Sequence, residues 1–106
     1  MTISIKPLSV NQCWRGRRFK TPKYKEYEKE LLLKLKPVYI PKGKIKLCIT
    51  FGHSNSLNDI DNGLKPFIDV LQKKYGFNDR DIYELNVVKK LVKKGSEYID
   101  FELFPL

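Results

Sequence analysis

The chain has 106 residues, 42% of them apolar, and a formal net charge of +9. That length allows one buried core and excludes two, which predicts a single domain over residues 1–106. No apolar run approaches the roughly 18 residues a membrane-spanning helix requires, and MTISIKPLSV lacks the long apolar stretch of a signal peptide, so a soluble cytoplasmic protein with no membrane partner is expected.

The first predicted element is a short strand in TISIK, where apolar and polar residues alternate. PLSVNQCWRGRRFKTPKYK follows without steady periodicity and reads as a loop. Thr21 and Pro22 fit a helix cap and first helical position, and Tyr24, Tyr27, Leu31 and Leu35 then recur at helical spacing, predicting a first helix over about residues 22–36. KIKLCITF alternates Ile45, Leu47, Ile49 and Phe51 against Lys44, Lys46, Cys48 and Thr50, the clearest strand in the chain.

GHSNSLN has loop composition, and Leu64, Phe67, Ile68 and Leu71 then mark a second amphipathic helix that must end before Gly76. DIYELNVVKKLV and SEYIDFELF flank a short KKG turn and are expected to pair as two antiparallel strands, with Ile99, Phe101 and Leu103 facing the core. The predicted class is α+β, in the order β-α-β-α-β-β, with two helices covering a mixed or antiparallel sheet.

Charge is distributed unevenly along this frame. Residues 1–53 hold 13 Lys and Arg against 3 acids, and residues 54–106 hold 8 against 9. An isoelectric point near 9.6 favours polyanionic partners, nucleic acid first and anionic membrane surfaces second. RGRRFKTPKYK carries six cations in eleven residues beside Phe19 and Tyr24, a mixture suited to phosphates and exposed bases. Arg15, Arg17, Arg18 and Lys20 are the expected DNA contacts, whereas the Lys89/Lys90 and Lys93/Lys94 pairs read as solvated strand-end and turn residues.

The acids concentrate instead in DIDNGLKPFIDVL, residues 59–71. Pro66 is tolerated only in the first turn, which sets the helix start near Asn62 or Gly63 and leaves Asp59 and Asp61 in an extended lead-in, projecting to one side. Two carboxylates held together repel, and a hard divalent cation such as Mg²⁺, with Mn²⁺ as a substitute, relieves that repulsion and suits phosphoryl chemistry. Lys65, one turn after Asp61, is placed to meet a phosphate. A third anchor is expected from FNDRDIYEL, where both Asp79 and Asp81 qualify by spacing. Asp-X-Asp before a helix also describes ordinary capping and first-turn acids.

Four further residues receive plainer readings. Cys13 and Cys48 fit no closely spaced metal-ligand pattern and are expected as reduced thiols. Trp14 reads as a core or interface anchor rather than a DNA wedge. His53, at the end of the KIKLCITF strand, carries no assigned role.

DIDNGLKPFIDVL followed by NDRDIYEL resembles the signature of the RusA family of Holliday junction resolvases, in which D-x-D-N-x-x-K opens a helix and a third aspartate follows in a D-D-x-Q-like loop. PLSVNQCW, the basic stretch and the Tyr-rich helix are similar to that family's N-terminal half. The resemblance implies a homodimeric, Mg²⁺-dependent crossover junction endodeoxyribonuclease that acts in DNA recombination and repair by paired incisions in four-way DNA. It implies Asp59, Asp61 and Asp79 as metal-binding carboxylates, in preference to Asp81, and Lys65 as the catalytic lysine. Two departures stand out: SNSLN replaces the arginine run that often precedes the first aspartate, and Asn78 replaces the first acid of the later pair. The competing expectations are a non-enzymatic DNA-binding or junction-architectural module, and a nuclease for other branched DNA.

Overall fold

The computed structural model describes all residues 1–106. Its strands are β1 (Thr2–Ile3), β2 (Trp14–Arg15), β3 (Phe19–Lys20), β4 (Ile45–His53), β5 (Ile82–Leu91) and β6 (Tyr98–Pro105), and its helices are α1 (Pro22–Lys34) and α2 (Leu64–Tyr75). The α+β class and the expected element order are both present, with one addition. The basic segment expected as a loop contains a small antiparallel hairpin, β2 paired with β3 through Trp14–Lys20 and Arg15–Phe19. Gly16, with φ of 63°, supplies the left-handed residue its turn requires.

Helix α1 begins as its sequence dictates: Pro22 occupies the first turn and the Thr21 hydroxyl accepts the Tyr24 N–H at 3.2 Å. It stops two residues short of the expected end, because Leu35 already adopts extended backbone (ψ 126°). The residue before Pro37 is sterically biased the same way. Helix α2 ends at Gly76, whose φ of 76° provides the left-handed cap.

The main sheet has the order β1-β6-β4-β5. Strand β4 is central, antiparallel to β6 and parallel to β5, so the sheet is mixed. The predicted hairpin between β5 and β6 is therefore wrong, since β4 lies between them. Val92 N–H donates to His53 O at 2.8 Å, closing β5 against the end of β4, and residues 92–97 then carry the chain across to β6. Alternation in a sequence reports which side chains are buried, not which strand lies alongside.

The helices cover one face of this sheet. Leu47, Ile49, Phe51, Ile99 and Phe101 meet Tyr27, Leu31, Phe67, Val70 and Leu71 in one continuous core. Phe67 stands edge-on to Phe51 and Phe101, with ring centroids 6.2 and 5.6 Å away. On the other face Cys48, Thr50 and Phe104 border a shallow open depression. Both cysteines are free, and burial, helped by the charge of Asp69, pushes the Cys13 thiol up to about 11, leaving it protonated and inert at neutral pH. No helix is long and apolar enough to cross a membrane.

Candidate functional site

The turn that carries Asp59 and Asp61 is held from four directions. Asn62 N–H donates to Asp59 O and Leu64 N–H to Asp61 O, both at 3.2 Å, so residues 59–64 coil tightly instead of running extended. The extended lead-in from which both side chains were expected to project to one side is therefore replaced by a turn. Val10 N–H donates to Asn62 O at 2.8 Å, tying the turn to the N-terminal segment. Gly63 rests on the Phe51 ring so closely that an added Cβ would lie 3.1 Å from its nearest carbon. From the sheet, Lys89 Nζ donates to Ser56 O at 3.0 Å and also to Asn58 O. Lys89 is thus no solvated strand-end residue; it grips the loop that leads to the acids, a role that two carbonyl oxygens supply and that no side-chain pattern reveals.

Helix α2 starts at Leu64 with Gly63 as its cap, and no side chain caps it. Neither aspartate is the capping acid that the plainer reading required. Asp59, Asp61 and Asp79 are all exposed. Their carboxylates form no ion pair, whereas Glu28, Glu30, Asp69, Glu84 and Asp100 each meet a cation.

Lys65 points along α2 and forms an ion pair with Asp69 at 2.9 Å. That hydrogen bond, opposed by slight burial and reinforced by the charges of Asp69 and then Asp79, holds its ammonium above the ordinary lysine range. Lys65 and Asp79 border one depression of about 300 Å³ between α2 and β5, together with Ile68, Tyr83 and Leu85. Asp79 opens a single 3-10 turn, with its N–H donated to Gln72 Oε1 at 2.8 Å.

These residues belong to two loops at opposite ends of the sheet. Because β4 and β5 are parallel, the loop leaving β4 at His53 and the loop entering β5 at Ile82 lie at opposite ends of the two strands, and α2 connects them. Asp59 and Asp61 precede the start of α2, whereas Asp79 follows its end and lies back against it, with its N–H on Gln72 and Lys65 across the shared depression. No three acidic, histidine or cysteine side chains of the chain come together in an arrangement that would hold a metal ion. The donor chemistry, exposed hard oxygens without counter-charges, suits Mg²⁺ or Mn²⁺, but the geometry of one chain does not complete a three-carboxylate site. The expected reach of Asp79 back toward the helix start depended on β5 lying beside β4; it does, and Asp79 shares a depression with Lys65 of the first turn of α2.

The cationic side of the candidate site is the hairpin. Arg15, Arg17 and Arg18 are exposed on β2 and its turn, next to Phe19, which is 72% exposed. Lys20 differs from them: it donates to Glu28 at 2.9 Å and lies 5.1 Å from the centre of the Tyr24 ring, so it anchors the hairpin to α1. Burial would raise the Glu28 carboxyl, but hydrogen bonds from Lys73 and Lys20 outweigh it and lower its pKa. Trp14 is not a core residue; it is 42% exposed and packs edge-on against Tyr24 at 5.7 Å. His53 is buried at the end of β4 with Nε2 unpartnered, and burial followed by the charge of Lys89 favours its neutral form.

A polyanion docking on the hairpin gives a direct expectation. Changing Arg15, Arg17 and Arg18 together to glutamine should lower the salt slope of DNA binding by about 3, since each phosphate that an arginine neutralises adds about 0.9 to it, and should weaken binding to all sequences alike. Fluorescence anisotropy across a salt series measures this, and an unchanged slope would remove the hairpin from the interface.

Among known proteins, no family model matches the chain, and no curated sequence matches it.

Proposed function

We propose that this protein is a Mg²⁺-dependent, structure-selective endodeoxyribonuclease that resolves four-way DNA junctions as a homodimer. The observation that carries the reading is the pairing, on one small basic fold, of an exposed arginine hairpin with three exposed carboxylates that form no ion pair, Asp59, Asp61 and Asp79, the last sharing a depression with Lys65. The sequence resemblance to the RusA family supplies the substrate class. In this reading the hairpin arginines hold the phosphate backbone without reading sequence, as recognition of a branched shape requires. Lys65 exchanges its Asp69 partner for a phosphate oxygen and offsets negative charge that develops during cleavage. The divalent cation would supply charge neutralisation and water activation when bound.

The dispersal of the three carboxylates within one chain favours a second reading, a DNA-binding module without chemistry. One assay separates the two. A synthetic four-way junction incubated with the protein should be cut in opposing strands with Mg²⁺ and left whole with EDTA. Binding without cutting under both conditions would establish the second reading, and equal cutting of flaps or forks would broaden the substrate class.

A further inference from the structure

One lysine of β5 stands where the strand's alternation calls for an apolar residue. Val87, in register with Ile49 of β4, packs against the buried cluster, and Lys89 follows two residues later on the same face, in register with the buried Phe51. A charged group in that row must find polar partners. It finds two, donating to Ser56 O at 3.0 Å and to Asn58 O, whereas its neighbour Lys90 lies on the opposite face and is exposed. Residues 55–58 also bond among themselves: Leu57 N–H donates to Asn55 Oδ1 at 2.9 Å, and the Asn58 side-chain amide donates to Asn55 O at 3.0 Å. Those bonds are local. The Lys89 ammonium is what ties this turn to the sheet.

We propose that Lys89 is a positioning residue for Asp59 and the turn it opens, acting through the backbone rather than on DNA. The consequence for cleavage rests on the nuclease reading, but the device itself rests on contacts within this chain. Asn58 O belongs to the planar peptide unit that ends at the Asp59 Cα, so an ammonium holding this oxygen fixes the plane from which the Asp59 side chain departs. Asp59 O in turn accepts the Asn62 N–H, which closes the acidic turn. The far side of that turn is set by Val10 N–H on Asn62 O and by Gly63 against the Phe51 ring. Lys89 is the matching tether on the near side. An exposed carboxylate gains little orientation from packing, so the backbone beneath it has to supply that orientation. Half-buried against two carbonyl oxygens, the ammonium is engaged by the loop and is not free to meet a phosphate.

Two substitutions test this, Lys89→Met, which keeps the stem and removes the donor, and Lys89→Arg, which keeps enough donors for both carbonyls. In Lys89→Met, single-turnover cutting of a four-way junction at saturating protein should slow by about tenfold or more, the usual effect of a reacting group displaced by about an ångström. Junction affinity in Ca²⁺ should stay within about twofold, and the salt slope of binding should not move. Lys89→Arg should restore most of the rate. Hydrogen exchange followed by NMR reads the turn independently of activity. The Asn62 and Leu64 amides, which donate within the turn, should exchange about tenfold faster in Lys89→Met and recover in Lys89→Arg, while the β4 amides stay protected. Lys90→Met should change neither rate nor exchange. If Lys89→Met does not fold, Lys89→Gln, which can still donate to one carbonyl, should show smaller losses of the same kind. A salt slope lower by about 0.9 would make Lys89 a phosphate contact and overturn the proposal. Unchanged exchange in the turn would overturn it too, as would equally fast exchange in the Arg and Met variants, or a full cutting rate despite a loosened turn. If wild type cuts no DNA but the turn loosens in Lys89→Met and recovers in Lys89→Arg, Lys89 positions the turn and the nuclease reading alone falls.

Discussion

Asp61→Asn is expected to reduce Mg²⁺-dependent junction cleavage by at least ~10²-fold while leaving junction affinity within about twofold. The carboxylate carries no structural duty that the amide would fail. It forms no ion pair and does not cap α2, whose start rests on Gly63 and on backbone contacts of Asp59, Asp61 and Asn62. Asparagine keeps the size and the exposed position, so the thermal midpoint should stay where it is. In the proposed reading binding falls to the hairpin arginines, on a separate element of the fold. Cleavage rates on a four-way junction, paired with anisotropy titrations in the presence of Ca²⁺, give both quantities. Full activity in this variant would remove the carboxylates from the chemistry and leave the protein as a DNA-binding module.

Phe67→Ala should destabilise the fold by about 3–5 kcal/mol. A small domain has only about 5–15 kcal/mol in total, so the variant would fold marginally and lose a large part of its midpoint in a urea titration. The ring is fully buried and stands edge-on to both Phe51 and Phe101, which connects α2 to the two inner strands of the sheet. Its removal also frees Phe51, on which Gly63 and the acidic turn rest. Loss of DNA cutting in this variant should therefore precede global unfolding as urea rises. A change below about 1 kcal/mol would mean that the core closes over the gap, contrary to the packing described.

The elements were legible in the sequence wherever one face alone is buried. The alternation in KIKLCITF places Ile45, Leu47, Ile49 and Phe51 inside, and all four are buried in β4. Pro22, Pro66 and Gly76 mark helix ends by steric rules that do not depend on the rest of the chain. The order of strands was not legible, because a half-buried strand fits beside any neighbour that shares its apolar face, and the β5–β6 hairpin failed for that reason. The same gap left open how Asp79 stands to Asp59 and Asp61, which depends on the direction of β5 rather than on any residue in it. The hairpin at Trp14–Lys20 was missed because its strands are two residues long, too short for periodicity. The structural contacts of Lys20 and Lys89 were not legible because each meets a partner remote from it, Glu28 across the hairpin junction and the carbonyls of Ser56 and Asn58 across the sheet.

The stitch from Val10 to Asn62 bears on how the molecule matures. That single amide contact joins positions more than fifty apart, and β1 meets β6 over a span nearly as long as the chain. Closures over such distances are slow, since the entropy of a wide loop is lost before any contact repays it. The acidic turn should consequently acquire its final shape late in refolding, after hydrophobic burial is well advanced, and a newly collapsed molecule would be compact before it was competent.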